Sequence, residues 1–190
     1  MQNAVIYSSG FICYTSGESD ELTQLYQGKG VRDMKLMIKQ RVFSWGDKYD
    51  IYDEMGIAKY FVKGDVFSLG HQLHVFDSSG NEIGQIHQKL FRFMPTFEIV
   101  INGNVCGRIH KKFTFFSEDY DVDYNGWYVE GDFLGWEYSV YECGRPIVRI
   151  SKELFTWGDT YVIDIDNTDD EIMGLMLVIA IDAANCSHSN

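Results

Sequence analysis

The spacing Asp121-x-Asp123-x-Asn125-Gly126, followed by Asp132, is that of a calcium-binding loop up to its last ligand, where Asp stands in place of the usual Glu. Such a loop needs a helix on each side. Here Tyr120-Asp121-Val122-Asp123-Tyr124 alternates like a strand, so a metal-free hairpin turning at Asn125-Gly126 is the better reading. That hairpin sets Asp121 opposite Glu130, an unfavourable like-charge pair that a weakly held cation could relieve.

The second candidate is cationic. Residues 85–115 hold five bases (Lys89, Arg92, Arg108, Lys111, Lys112) and one acid, Glu98, whereas residues 117–142 hold eight acids and no base. Strand alternation puts Arg108, His110 and Lys112 on one face, opposite Ile109, and gives Gln85, His87 and Lys89 the same place one hairpin earlier. Lys89, Arg108 and Lys112 are therefore the candidate ligand-binding residues, a shallow surface able to hold a phosphate by charge-assisted hydrogen bonds. The competing reading is a solvated face of mixed charge, which the outside of any barrel needs.

Other constellations exclude more than they offer. The net charge of -12 disfavours nucleic acid and non-specific adsorption to anionic membranes. His71 and His74 have no cysteine partners at zinc-site spacing. Cys13, Cys106, Cys143 and Cys186 are widely separated and read as free thiols. No signal peptide is visible, so a reducing cytoplasm is expected, and the sequon Asn185-Cys186-Ser187 carries no weight. No Gly-x-Ser-x-Gly elbow is present, and Gly28-Lys29-Gly30 is only a fragment of a phosphate loop. No catalytic residue, metal ligand or cofactor is assigned. Asp182 closes an apolar run, where a negative charge opposes a helix dipole, and reads as an anchor or exit marker needing partners if buried.

These residues lie on short strands. Segments at 49–53, 72–76 and 97–101 alternate and are followed by turn residues, among them Asn102-Gly103. Residues 73–91 and 97–113 are two copies of a hairpin whose second strand reads Gly-x-Ile-His-x-Lys, and 138–155 is a weaker third. Residues 42–49 (VFSWGDKY) and 154–161 (LFTWGDTY) also echo one another. Repeated hairpins predict a meandering antiparallel sheet that curls into a closed barrel of about twelve strands. Residues 1–33 read as an irregular extension and residues 34–190 as the compact domain.

One helix is predicted, at about 169–185, with Thr168 and Glu171 as a capping box. Residues 172–181 run without a polar side chain, far short of the ~18–20 that span a bilayer. A helix apolar on every side must be enclosed by protein, here the sheet. The fold class is mainly β, α+β only by helix content.

The chain from about residue 34 to 187 resembles the LURP-one-related proteins, relatives of the tubby C-terminal domain and the phospholipid scramblases. The resemblance rests on residues 37–45 (MIKQRVFSW), the Gly-x-Ile-x-x-Lys strands, residues 129–136 (VEGDFLGW) and residues 177–182 (LVIAID). It implies a twelve-stranded barrel threaded by a hydrophobic C-terminal helix. It also implies a non-enzymatic binding or scaffold module with a peripheral anionic lipid or phosphoinositide as candidate ligand. No tubby-type basic run aligns residue by residue. The alternative is a protein-interaction or oligomerising module using aromatics such as Trp127, Tyr128 or Trp136.

Overall fold

The structure is a computed structural model describing residues 4–6, 12–14, 34–39, 48–65, 71–89, 95–112, 119–155 and 158–186. Gly28-Lys29-Gly30, residues 42–47 and 156–157 of the echoed segments, and Ser187 of the sequon lie outside these residues. A two-stranded unit, β1 (Ala4–Ile6) and β2 (Ile12–Tyr14), precedes the main sheet.

The main sheet has twelve antiparallel strands. In chain order they are β3 (Met34–Lys39), β4 (Lys48–Asp53), β5 (Ala58–Asp65), β6 (Gln72–Asp77), β7 (Glu82–Lys89) and β8 (Thr96–Ile101), then β9 (Asn104–Lys112), β10 (Asp119–Asp123), β11 (Tyr128–Asp132), β12 (Glu137–Glu142), β13 (Arg145–Phe155) and β14 (Gly158–Ile165). They form two meanders, β3 to β10 and β11 to β14, zipped together where β14 pairs with β3. The free edges are thus β10 and β11, and the sheet curls until these lie beside each other. The expected barrel is present, nearly closed.

The repeated Gly-x-Ile-His strands are β7 and β9. Gly84, Ile86, Gly107 and Ile109 point inward and are buried, while the histidines point outward. Both glycines face the helix α1 (Glu171–Cys186). A Cβ on Gly84 would stand 2.8 Å from Met176 Cε and 3.0 Å from Val100 O; one on Gly107 would stand 2.6 Å from Met173 Cε. The repeat therefore marks where the wall makes room for helix methionines. On the opposite side Gly174 brings the helix to β13, where a Cβ would stand 3.0 Å from Val148 Cγ2.

The helix begins after a single 3-10 turn, Thr168–Asp170. Its cap is not the expected Thr168–Glu171 box. The Asn167 side chain accepts from Asp169 N at 3.1 Å, and the Glu171 carboxylate turns to the wall, where Tyr60 Oη donates at 2.5 Å and Lys59 Nζ lies 2.5 Å away. From Met173 to Ile181 every side chain is buried, as are Ala183 and Ala184. Each large apolar side chain so enclosed contributes about 1.5–3 kcal/mol.

Gly84→Val should lower unfolding free energy by about 1–3 kcal/mol, because Val100 O cannot retreat and Met176 must leave its rotamer. Urea unfolding checks this, and Met176→Ala in the same chain should restore part of the loss. Equal stability of Gly84→Val and wild type would contradict the account.

Candidate functional site

The predicted cations lie on the outer face of β7 to β10. Register aligns His87, Glu98, Arg108 and Asp123 in one row across four strands, with Thr96, His110 and Asp121 in the next. Glu98, on the intervening strand, collects the first two cations: Lys89 Nζ is 3.0 Å from its Oε2 and Arg108 Nε is 3.2 Å from its Oε1. Burial works to raise the Glu98 carboxyl, but hydrogen bonds from Lys89 and Arg108 outweigh it and hold the group below its usual range. Lys112 stands apart, 3.1 Å from Asp121 and 3.7 Å from Asp119, and its ammonium is held above the usual range chiefly by the Asp121 bond. Arg108 also reaches Asp123 at 3.7 Å.

Two of the three predicted residues therefore converge, on a carboxylate, and the third is tied to the next strand. Their side chains stay 43 to 47% exposed. A phosphate could reach them only in competition with Glu98, Asp119, Asp121 and Asp123. The histidines bind within the wall: His110 Nδ1 is 3.0 Å from Thr96 Oγ1, His87 Nε2 2.7 Å from Gln85 Oε1, and His74 Nδ1 2.7 Å from Glu82 Oε2.

The expected hairpin of β10 with β11 does not form. Its turn does: Asn125 and Gly126 have φ of 46° and 67°, and Trp127 N donates to Tyr124 O at 2.8 Å. Beyond it no ladder joins the strands, which are the two edges of the sheet. Pairing from this turn would oppose Asp121 with Glu130 and Asp119 with Asp132. Arg108 and Lys112 instead draw the acids of β10 towards β9. Side chains close the seam. Tyr124 and Trp127 meet edge to face at 4.8 Å near the turn, and Tyr120 and Phe133 at 4.9 Å at the other end. Asn185 of α1 bridges them, accepting from Tyr120 Oη and donating to Phe133 O at 3.1 Å. Trp127, expected on the surface, is buried, and its Nε1 donates to Glu142 Oε1 at 3.2 Å. Trp136 stacks on Tyr161 at 3.9 Å, so of the three aromatics Tyr128 alone is exposed.

The tight turns at 54–57, 78–81, 102–103, 124–127 and 143–144 share one end of the barrel with the start of α1. A cavity of about 150 Å³ opens there between Glu142, Cys143, Arg145, Ile147, Asp166, Asn167 and Asp170. Arg145 and Arg149 hold Asp166 at 3.1 and 2.7 Å. Burial, then the Glu142 charge, pushes the Asp170 carboxyl up to about 6. No histidine lines this cavity, and no metal-binding cluster of His, Cys, Asp or Glu occurs among the described residues.

At the far end Asp182 is half-buried, without a hydrogen-bond partner among the described residues, and burial pushes its carboxyl up to about 7. The neighbouring Tyr138 hydroxyl is raised by its own burial and then by that charge. Asp182 and Asp170 both keep a proton when folded that the unfolded chain has released. Stability should therefore fall as pH rises from about 4 to 7 and level off above. Denaturation at pH 5 and 8 should differ by roughly 1–3 kcal/mol, with less at pH 8. Asp182→Asn should remove most of that difference; an unchanged slope would refute the assignment.

Residues 34–182 match the LURP-one-related family. The Bacillus subtilis (strain 168) protein YxjI, itself described as uncharacterized, is 32% identical over 149 residues, which cover 78% of this chain and 92% of that one. The X-ray structure of the Arabidopsis thaliana protein AT5G01750 aligns over 80% of this chain and 91% of its own, with a TM-score of 0.54 and 16% identity, a likeness of fold alone. No helix among the described residues is long and apolar enough to cross a membrane. With the family pattern running from β3 into α1, and the glycines and apolar helix that carry it now seen packed together, the chain belongs to the LURP-one-related family.

Proposed function

We propose that this chain is a non-catalytic binding or scaffold module that meets its partner on the outside of the barrel, and that the partner is a protein. The observation that carries this reading is the filled interior. Leu175, Met176, Leu177, Val178 and Ala180 have no exposed surface, so a ligand has no space within the wall. A ligand pocket ordinarily encloses a few hundred Å³ lined by apolar groups. The cavity beside Arg145 holds about 150 Å³, and two open clefts of about 370 and 360 Å³ lie by Glu130 and Arg149 and by Asp53 and Lys59. The outside offers exposed apolar groups instead, at Met55, Ile57, Val105 and Leu134, each on or next to a turn.

A peripheral anionic lipid or phosphoinositide is the second reading, favoured by the exposure of Lys89, Arg108 and Lys112 on one face. Their carboxylate partners weigh against it, because an incoming phosphate must displace them. Light scattering combined with cross-linking in native extract should find the chain in a complex. Vesicles containing anionic lipid should not retain it at physiological salt. A strict monomer with no cross-linked partner would overturn the protein reading. Vesicle binding abolished by Lys89→Ala, Arg108→Ala and Lys112→Ala together would replace it with the lipid one.

A further inference from the structure

The two open edges of the sheet lie side by side, and the charged side chains on both edge strands are all acidic. β11 is laddered to β12 alone, and its residues make no other backbone hydrogen bond among the described residues. An open edge presents unpaired N–H and C=O groups to any extended chain, and proteins normally cover, twist or block it. Gly131 shows that this edge is accessible. It has the inward parity of Val129, yet it is exposed where Val129 is buried. Its φ of +137°, and the 2.4 Å that would separate a Cβ from Glu137 O, restrict the position to glycine.

The outward side chains of the seam are Asp121 and Asp123 on β10 and Glu130 and Asp132 on β11, all exposed. The segment 117–142 supplies no base to offset them. Lys112 and Arg108 engage the acids of β10 from the β9 side. Asp132 accepts from Gly135 N at 2.9 Å in its own turn, and Glu130 has no hydrogen-bond or ion-pair partner among the described residues. Such an edge repels a second copy of this acidic chain. It is complementary to a strand carrying bases at every second position, which would place them beside Glu130 and Asp132 on one face.

We propose that the β11 edge is a docking site for an extended, basic segment of a partner protein, which adds as a further strand along the seam. The proposal rests on the exterior-binding reading above and specifies the partner's chemistry. Seating the strand parts β10 from β11. No ladder resists this; the contacts given up are those of Tyr120, Phe133 and Asn185 at the seam.

The test uses the full chain and a fluorescent peptide of about eight residues alternating lysine and valine, long enough for one strand. Anisotropy at low salt should report binding. Glu130→Lys should weaken it about fivefold, while Glu54→Lys, at an exposed turn away from the seam, should not. Two peptides N-methylated on alternate residues, one for each bonding edge, separate strand addition from charge attraction. One of them should lose about tenfold through missing hydrogen bonds. The proposal is overturned by no binding, by equal binding of both methylated peptides and the parent, or by indifference to Glu130→Lys. A silent peptide with an intact cross-linked complex removes this proposal alone; a silent peptide with a strict monomer removes the exterior-binding reading too.

Discussion

The structure depends on enclosing a helix that is apolar on every side. The run from Ile172 to Ile181 has no polar face to offer water, so it is stable only inside protein, and among the described residues it is the sheet that surrounds it. Other features follow from that requirement. The wall must curve around a rod of side chains, so twelve strands curl until the edges meet. The wall must also yield where the rod is thick, and Gly84 and Gly107 stand opposite Met176 and Met173. Where the rod is thin the helix moves close, as Gly174 does against Val148. Polar ties fix its length within the barrel: Glu171 on Tyr60 and Lys59 at one end, Asn185 on Tyr120 and Phe133 at the other.

Those last ties also explain how a barrel can remain unclosed by backbone hydrogen bonds. Ten of the twelve strands have ladders on both sides. At the seam, like charges oppose a ladder, and arginine and lysine on β9 hold the acids of β10 away from it. The helix supplies the missing bridge through one asparagine. Closure of the wall is thus linked to the helix through Asn185, which bridges the two edges from inside the barrel.

The parts of this design that repeat were legible in the sequence. Gly-x-Ile-His recurs in two hairpins, and an uninterrupted apolar decade cannot lie on a surface, so barrel, strand number and central helix could be read directly. What failed did so for nonlocal reasons. Asn125-Gly126 makes the turn its residues prescribe, yet the hairpin stops there, because the charges opposing it lie four and six residues to either side and the counter-charges of the β10 acids lie on β9. The helix cap moved from Thr168 to Asn167 because Glu171 had a partner 111 positions away in Tyr60. Lys89, Arg108 and Lys112 were correctly placed on the outer face of neighbouring strands, but Glu98, the single acid among five bases, falls between two of them in register and takes both. A local signal that the sequence does carry is the turn chemistry of Asp53 and Asp77. Each carboxylate accepts from the backbone N–H groups two and four residues on, at Met55 and Ile57 and at Ser79 and Asn81.

The charge pattern therefore has two layers. On the outer face of β7 to β9, Lys89, Arg108 and Lys112 are each matched by a carboxylate at 3.0–3.7 Å, which makes that face a cross-strand ladder holding the wall in register. On β11 and β12 acids accumulate without bases, and there the register is held by Glu137 on Lys152 N and by the stacked rings of Tyr128 and Tyr141 instead. Surface ion pairs of the first kind contribute little stability each. Their effect is on specificity of pairing, because a slip of one strand would leave Glu98 between uncharged neighbours. The unmatched acids do not stabilise the wall in this way, and near an open edge their local effect is to keep other acidic strands out. In a barrel filled by its own helix, the unpaired backbone edges and the unmatched acids of β11 both lie at the seam.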